Sequence, residues 1–195
     1  MYHPEVLRVD GNGPVAGHGS RQHADTTSPV FRAHSRRITR AMAKRYRNNP
    51  AVIGWQTDNE LNATVSESHS PGARLAFQNW LQRNHGYDIT ALNRAWGGDF
   101  WALAYDSFAQ IDTPRDMAPG FLSPGHLQDY HRFLVAATAA FQHDQVKNLR
   151  ATDPDWFIFR NLGALSDIDF RGQFGSDLAF IGFDIDLPPG SSPRS

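Results

Sequence analysis

Cysteine is absent from the 195 residues, which excludes disulfides, thiolate metal sites and a cysteine nucleophile. No apolar run approaches the roughly 18 to 20 residues that cross a bilayer, and Met1-Tyr2-His3-Pro4-Glu5 is not a charged region leading into an apolar one. A soluble, cytoplasmic protein without a membrane partner is therefore expected. Neither GxxxxGK, GxGxxG nor GxSxG occurs, so phosphate cradles, dinucleotide fingerprints and the hydrolase nucleophile elbow lose ground. Glutamate is scarce. Glu5, Glu60 and Glu67 are the only three and none follows Glu67, so a mechanism that needs two glutamates has few places to find the second.

With 40% apolar and 12% aromatic content the chain can bury a core, and one domain is the natural expectation. It should extend to about residue 187, with Pro188 to Ser195 a disordered, proline-rich tail. The net charge of −1 hides an asymmetry: Arg32, Arg36, Arg37, Arg40, Lys44, Arg45 and Arg47 stand between Ser28 and Arg47 without an acid, which leaves the remainder at −8. The run reads as the solvated outer face of a helix. A nucleic-acid footprint is the weaker reading, because interleaved aromatics and a binding motif are missing.

Ser28-Pro29 opens that helix, whose inward stripe is expected from Val30, Ile38, Ala41, Met42 and Tyr46, and Asn48-Asn49-Pro50 stops it. Residues 51 to 58 then read as a buried parallel strand. Further helices are predicted over Pro71 to Asn84, Ile89 to Trp96 and Pro124 to Arg150, with Leu75, Phe77, Trp80 and Leu81 lending the first its apolar character. Later strands are Trp156 to Phe159, ending at Arg160-Asn161, and Leu178 to Phe183, ending at Asp184 and Asp186; Glu5 to Val9 is a possible fourth. The loop from Asp112 to Pro124 is long enough to suggest work at a rim. Strand, polar loop, helix and strand in alternation favour α/β architecture, yet the chain is too short for a complete eight-unit barrel of about 250 residues. A partial (β/α)8 TIM barrel accounts for both observations.

In parallel α/β folds chemistry sits at the carboxyl ends of strands, and Ala51 to Glu60 delivers a carboxylate there. Trp55, Asp58 and Asn59 could supply the environment that makes Glu60 a general acid; a capping or salt-bridge role is the alternative. Asp184 and Asp186 could share its face of the sheet, since paired carboxylates are the machinery of most glycosidases, although each alone reads more simply as a cap. The nine histidines match no metal template, and His126, His131 and His143 fit polar-face or capping positions on the long helix. Neither a metal nor another cofactor is expected.

Asn49-Pro50-Ala51-Val52-Ile53-Gly54-Trp55-Gln56-Thr57-Asp58-Asn59-Glu60 closely resembles the acid/base strand of glycoside hydrolase family 42, the bacterial β-galactosidases. His3 to Asp10, Gly19 to His23 and Ser28 to Arg32 resemble the segments before that strand. Ala76 to Leu81 and Ala91 to Gly97 with Phe100-Trp101 resemble those after it. The resemblance covers the chain to about Leu187 and implies a retaining hydrolase of terminal β-galactosides. Glu60 would be its acid/base, and Arg21 and Asn59 would bind the galactosyl unit. It further implies that many relatives bind zinc through one cysteine after the arginine and three after the glutamate. Here Asp25 and His69 to Arg74 occupy those regions, so the metal is expected to be absent. Relatives are often homo-oligomeric. The family's nucleophile lies on a strand beyond the matched region and its first strands precede it. The expectation is thus an inactive middle portion of the barrel, lacking first and last strands, with a carbohydrate-binding pseudoenzyme or non-catalytic remnant as the alternative.

Overall fold

The computed structural model describes residues 3–61, 67–115, 123–163 and 168–183. Three of the helices begin at a Ser-Pro step. Helix α1 spans Pro29–Tyr46, α2 Pro71–Asn84, α3 Ile89–Trp96, α4 Gly98–Trp101, α5 Pro124–Arg150 and α6 Gln173–Ser176. The Ser28 hydroxyl accepts the Phe31 N–H and Ser70 that of Ala73, while proline at the first position lacks a donor that would go unpaired anyway. At α5 the cap differs: Ser123 turns its hydroxyl to the Trp96 carbonyl at 3.0 Å and ties two helices together. Helix α3 is capped by Asp88 and ends on Gly97, whose φ of 67° is a left-handed conformation that glycine adopts without penalty.

Strands β1 (Gly54–Gln56), β2 (Phe157–Leu162) and β3 (Phe180–Phe183) form one parallel sheet in chain order. Trp55 stands opposite Ile158, and Phe159 opposite Phe180. Alternation sends Ile158 and Leu162 to one face, against Val146 and Leu149 or Phe141 and Phe174. The other face carries Phe157, Phe159 and Phe180, the last two stacked at 4.7 Å. Gly54 makes room for this layer: a Cβ there would collide with the Phe157 carbonyl and lie 2.8 Å from its ring. A separate, wholly helical core gathers Phe77, Leu81, Leu92, Trp96, Tyr130 and Phe133 from α2, α3 and the first half of α5.

The helix boundaries match the expectation, and the details of three faces do not. On α1 the buried residue is Ala43, whereas Ile38, Met42 and Tyr46 are 50%, 42% and 40% exposed. Its arginines are not simply a solvated face, since Arg36 pairs with Asp144 at 2.8 Å, and Arg40 and Arg32 reach Asn148 and the Ala137 carbonyl. Long aliphatic stems let arginine pack on α5 while its head finds an acceptor, so charge patterning misread the buried side. On α2, Leu75 is 58% exposed. Pro4–Val6 is a 3-10 turn instead of a strand, followed by isolated bridges from Leu7 to Ala24 and Val9 to Val15. Asp184, Asp186, the tail and much of the Asp112 to Pro124 loop lie outside the described residues.

Candidate active site

The last backbone bond of the β1 ladder is donated by Thr57 to Phe159, 3.0 Å away, and beyond it the chain turns sharply. Asp58 and Glu60 both adopt positive φ, 59° and 46°, and so does Gln22 at 55° across the site. Only five non-glycine residues among those described do this, and three meet here. Left-handed backbone outside glycine costs energy and persists where the surroundings hold it, a pattern concentrated at functional sites.

Side chains hold this turn. The Glu60 carbonyl accepts the Gln22 side-chain amide at 2.6 Å, and its N–H donates to the Asn161 carbonyl oxygen at 3.1 Å. Its carboxylate pairs with Arg21. Asn161 also accepts from Gln56 at 2.8 Å and donates to the Asn59 side-chain oxygen at 3.0 Å. The three residues predicted from sequence, Arg21, Asn59 and Glu60, are therefore brought into one network. Glu60 is the sheltered member, its side chain 19% exposed against 58% for Arg21. A cavity of about 230 Å³ lies on the other side of Arg21 and Gln22, bounded by those two with Arg8, Asp10 and Glu67.

Trp55, expected beside Glu60, faces away: its ring packs edge-on against Trp156 at 5.5 Å and near Tyr46. Period-two alternation puts Gln56 on the site's side instead, and it was legible in principle. The other glutamates are engaged elsewhere. The Glu67 carboxylate, 3.7 Å from the His69 ring nitrogen, is held below its ordinary range by that neighbour, and Glu5 pairs with His3 at 2.8 Å. His126, expected on a polar face, is buried and stacked on Trp96 at 4.5 Å, and His143 pairs with Asp177.

Asp25 shows what stands in the region where relatives carry cysteine. Its buried carboxylate accepts the Ser68 hydroxyl at 2.9 Å, the Ser70 hydroxyl at 2.5 Å and the Thr27 N–H at 2.8 Å. Neutral hydroxyls committed to one carboxylate do not make the nitrogen and sulfur donor set that zinc prefers, so these residues do not fit that metal. Among the described residues no group of three or more histidines and carboxylates is placed to hold a metal ion.

The glycoside hydrolase family 42 β-galactosidase model matches residues 1–184, and the chain belongs to that family. A β-galactosidase from Thermus thermophilus is 39% identical over 93% of this chain, and one from an Arthrobacter species 41% over 84%. The crystal structure of the β-galactosidase from the psychrophilic Marinomonas ef1 superposes on 94% of the chain with a TM-score of 0.88 at 34% identity. The chain spans only 28% of the Thermus protein and 28% of the Marinomonas chain. An exo-β-agarase structure at 18% identity and a TM-score of 0.58 shares the fold alone. No helix among the described residues is long and apolar enough to cross a membrane.

Proposed function

We propose that this chain carries the acid/base half of a retaining β-galactoside hydrolase, built on consecutive strands of a (β/α)8 barrel. The observation that carries the reading is the turn after β1, where Arg21, Asn59 and Glu60 converge in one hydrogen-bonded network. Glu60 protonates the departing glycosidic oxygen and then takes the proton of the water that completes hydrolysis. Arg21 and Asn59 hold the hydroxyls of the terminal galactosyl unit. The step between, attack on the anomeric carbon, needs a second glutamate in the family's mechanism, and Glu5 is bonded to His3 while Glu67 lies 3.7 Å from His69. The 195-residue chain by itself therefore binds sugar without cleaving it, which makes a carbohydrate-binding role its second reading.

Calorimetric titration with galactose and a chromogenic aryl β-galactoside assay test this together. The expected result is galactose binding that Arg21→Ala or Asn59→Ala removes, with no release of the aryl group. Turnover that disappears in Glu60→Gln would overturn the inactive reading and require another attacking carboxylate, such as Asp184 or Asp186. Absence of any galactose binding would overturn the sugar site.

A further inference from the structure

We infer that Asn161, at the carboxyl end of β2, is a positioning residue that sets the geometry of both Glu60 and Asn59. The inference deepens the sugar-hydrolysing reading and rests on it. Asn161 is 7% exposed and lies two residues beyond Phe159, the last residue of β2 that pairs with β1. That overhang puts its side chain beside the turn at 58 to 60, which has left the ladder. Among the described residues one carboxamide serves three groups: its oxygen accepts the Glu60 N–H and the Gln56 amide, and its nitrogen donates to Asn59.

The chemistry explains why this side chain suits the place. Glu60 sits in a left-handed conformation beyond the last β1–β2 ladder bond, so its N–H turns to the Asn161 side-chain oxygen instead of a strand carbonyl. An acceptor fixed to the neighbouring strand makes that conformation the favoured one. Sugar recognition needs Asn59 in a single orientation, because its amide presents a donor on one side and an acceptor on the other. Donation from Asn161 commits the Asn59 oxygen and leaves its NH2 group for a ligand oxygen. Aspartate at 161 would keep both acceptor roles and lose the donation, whereas alanine would lose all three. Gln22 anchors the opposite end of Glu60 through its carbonyl, so the acid's backbone is held from two directions.

Amide hydrogen exchange and galactose titration of the 195-residue chain, followed by NMR, separate the roles. In Asn161→Ala the Glu60 amide should exchange about tenfold faster, the change expected for loss of one hydrogen bond, while the Thr57 amide on the Phe159 carbonyl stays protected. Galactose affinity should fall about tenfold as well. Asn161→Asp, nearly isosteric and the safer variant to fold, should restore Glu60 protection but not sugar affinity. Unchanged Glu60 exchange in Asn161→Ala, or equal loss of protection at Thr57 and Glu60, would overturn the positioning role. A wild-type chain that binds no galactose overturns the sugar-site reading instead, and the exchange data still decide what Asn161 does to Glu60.

Discussion

The part of the molecule built from α2, α3 and the first half of α5 is closed on itself, whereas in the part built on the sheet β1 and β3 each pair, among the described residues, with β2 alone. In the helical part Phe77, Leu81 and Leu92 are wholly buried, and the buried polar groups find partners: Asp129 accepts from His85, Trp96 and Arg132 at 2.8, 2.8 and 3.1 Å. On the sheet, Ile53, Phe180 and Phe183 are 68%, 50% and 55% exposed. Trp55, Gln142, Gln145 and Arg160, on the sheet or packed against it, carry buried donors without hydrogen-bond partners among the described residues, and Arg115 carries another away from it. Stability and function are thereby divided. The helical layer supplies cohesion, and the sheet supplies the strand ends at which the proposed site is built.

The largest effect should come from the closed part. Phe77 contacts His126, Tyr130 and Phe133 at ring distances of 5.8, 5.3 and 5.3 Å, and Phe77→Ala should destabilise the chain by about 3–5 kcal/mol in urea unfolding. A much smaller loss would mean that the layer is loosely packed and the contrast with the sheet is false. Arg160 tests the sheet part with the opposite sign. Burial pulls its guanidinium down to about 10, and the group has one hydrogen bond, to Thr57 at 3.3 Å, with Asp58 3.9 Å away. Replacing a fully buried charge whose ion pair with Asp58 is long by an apolar side chain of similar length removes the desolvation cost, so Arg160→Met should raise stability by about 1–3 kcal/mol. A loss of stability would show that the Asp58 pair and the Phe174 ring beneath the guanidinium outweigh that cost.

The smallest effect is a pH dependence inside the closed layer. Burial lowers the His126 pKa, opposed by its hydrogen bond to the Asp112 carbonyl at 2.9 Å. A histidine whose folded pKa lies below its unfolded value of about 6.5 binds fewer protons when folded, so stability is complete above that pH and falls as acid approaches the folded pKa. Urea midpoints measured between pH 7.5 and 5 should fall, and His126→Phe, which keeps the ring stack, should flatten the slope. An unaltered slope would assign the acid sensitivity elsewhere.

The contrast also marks where the fold was legible in sequence. The longer helices are legible because their ends are local: Ser28-Pro29 opens α1, and the structure shows the same Ser-Pro step at α2, with Asp88 and Gly97 bounding α3. The apolar stripe on α1 was misassigned because burial there depends on what α5 presents, and Asp144 and Asn148 make an acceptor surface for arginines. Strands shortened for a similar reason, since a ladder exists only where a neighbour supplies it, and β1 pairs over Gly54–Gln56 alone. At the site, Glu60 is legible from its place at a strand end, whereas Arg21 and Asn59 follow from family resemblance. Asn161 was visible only as a strand terminus, for its role comes from a two-residue overhang past β1 that no local signal encodes.

Glutamate scarcity makes the decisive measurement simple, because a chain labelled with carboxyl-13C glutamate yields three side-chain signals, from Glu5, Glu60 and Glu67. Titrated with galactose, the Glu60 signal should move while Glu5 stays fixed, and Arg21→Ala should abolish the movement. A Glu60 signal indifferent to galactose would contradict the account that this turn is the acid/base half of a galactoside site.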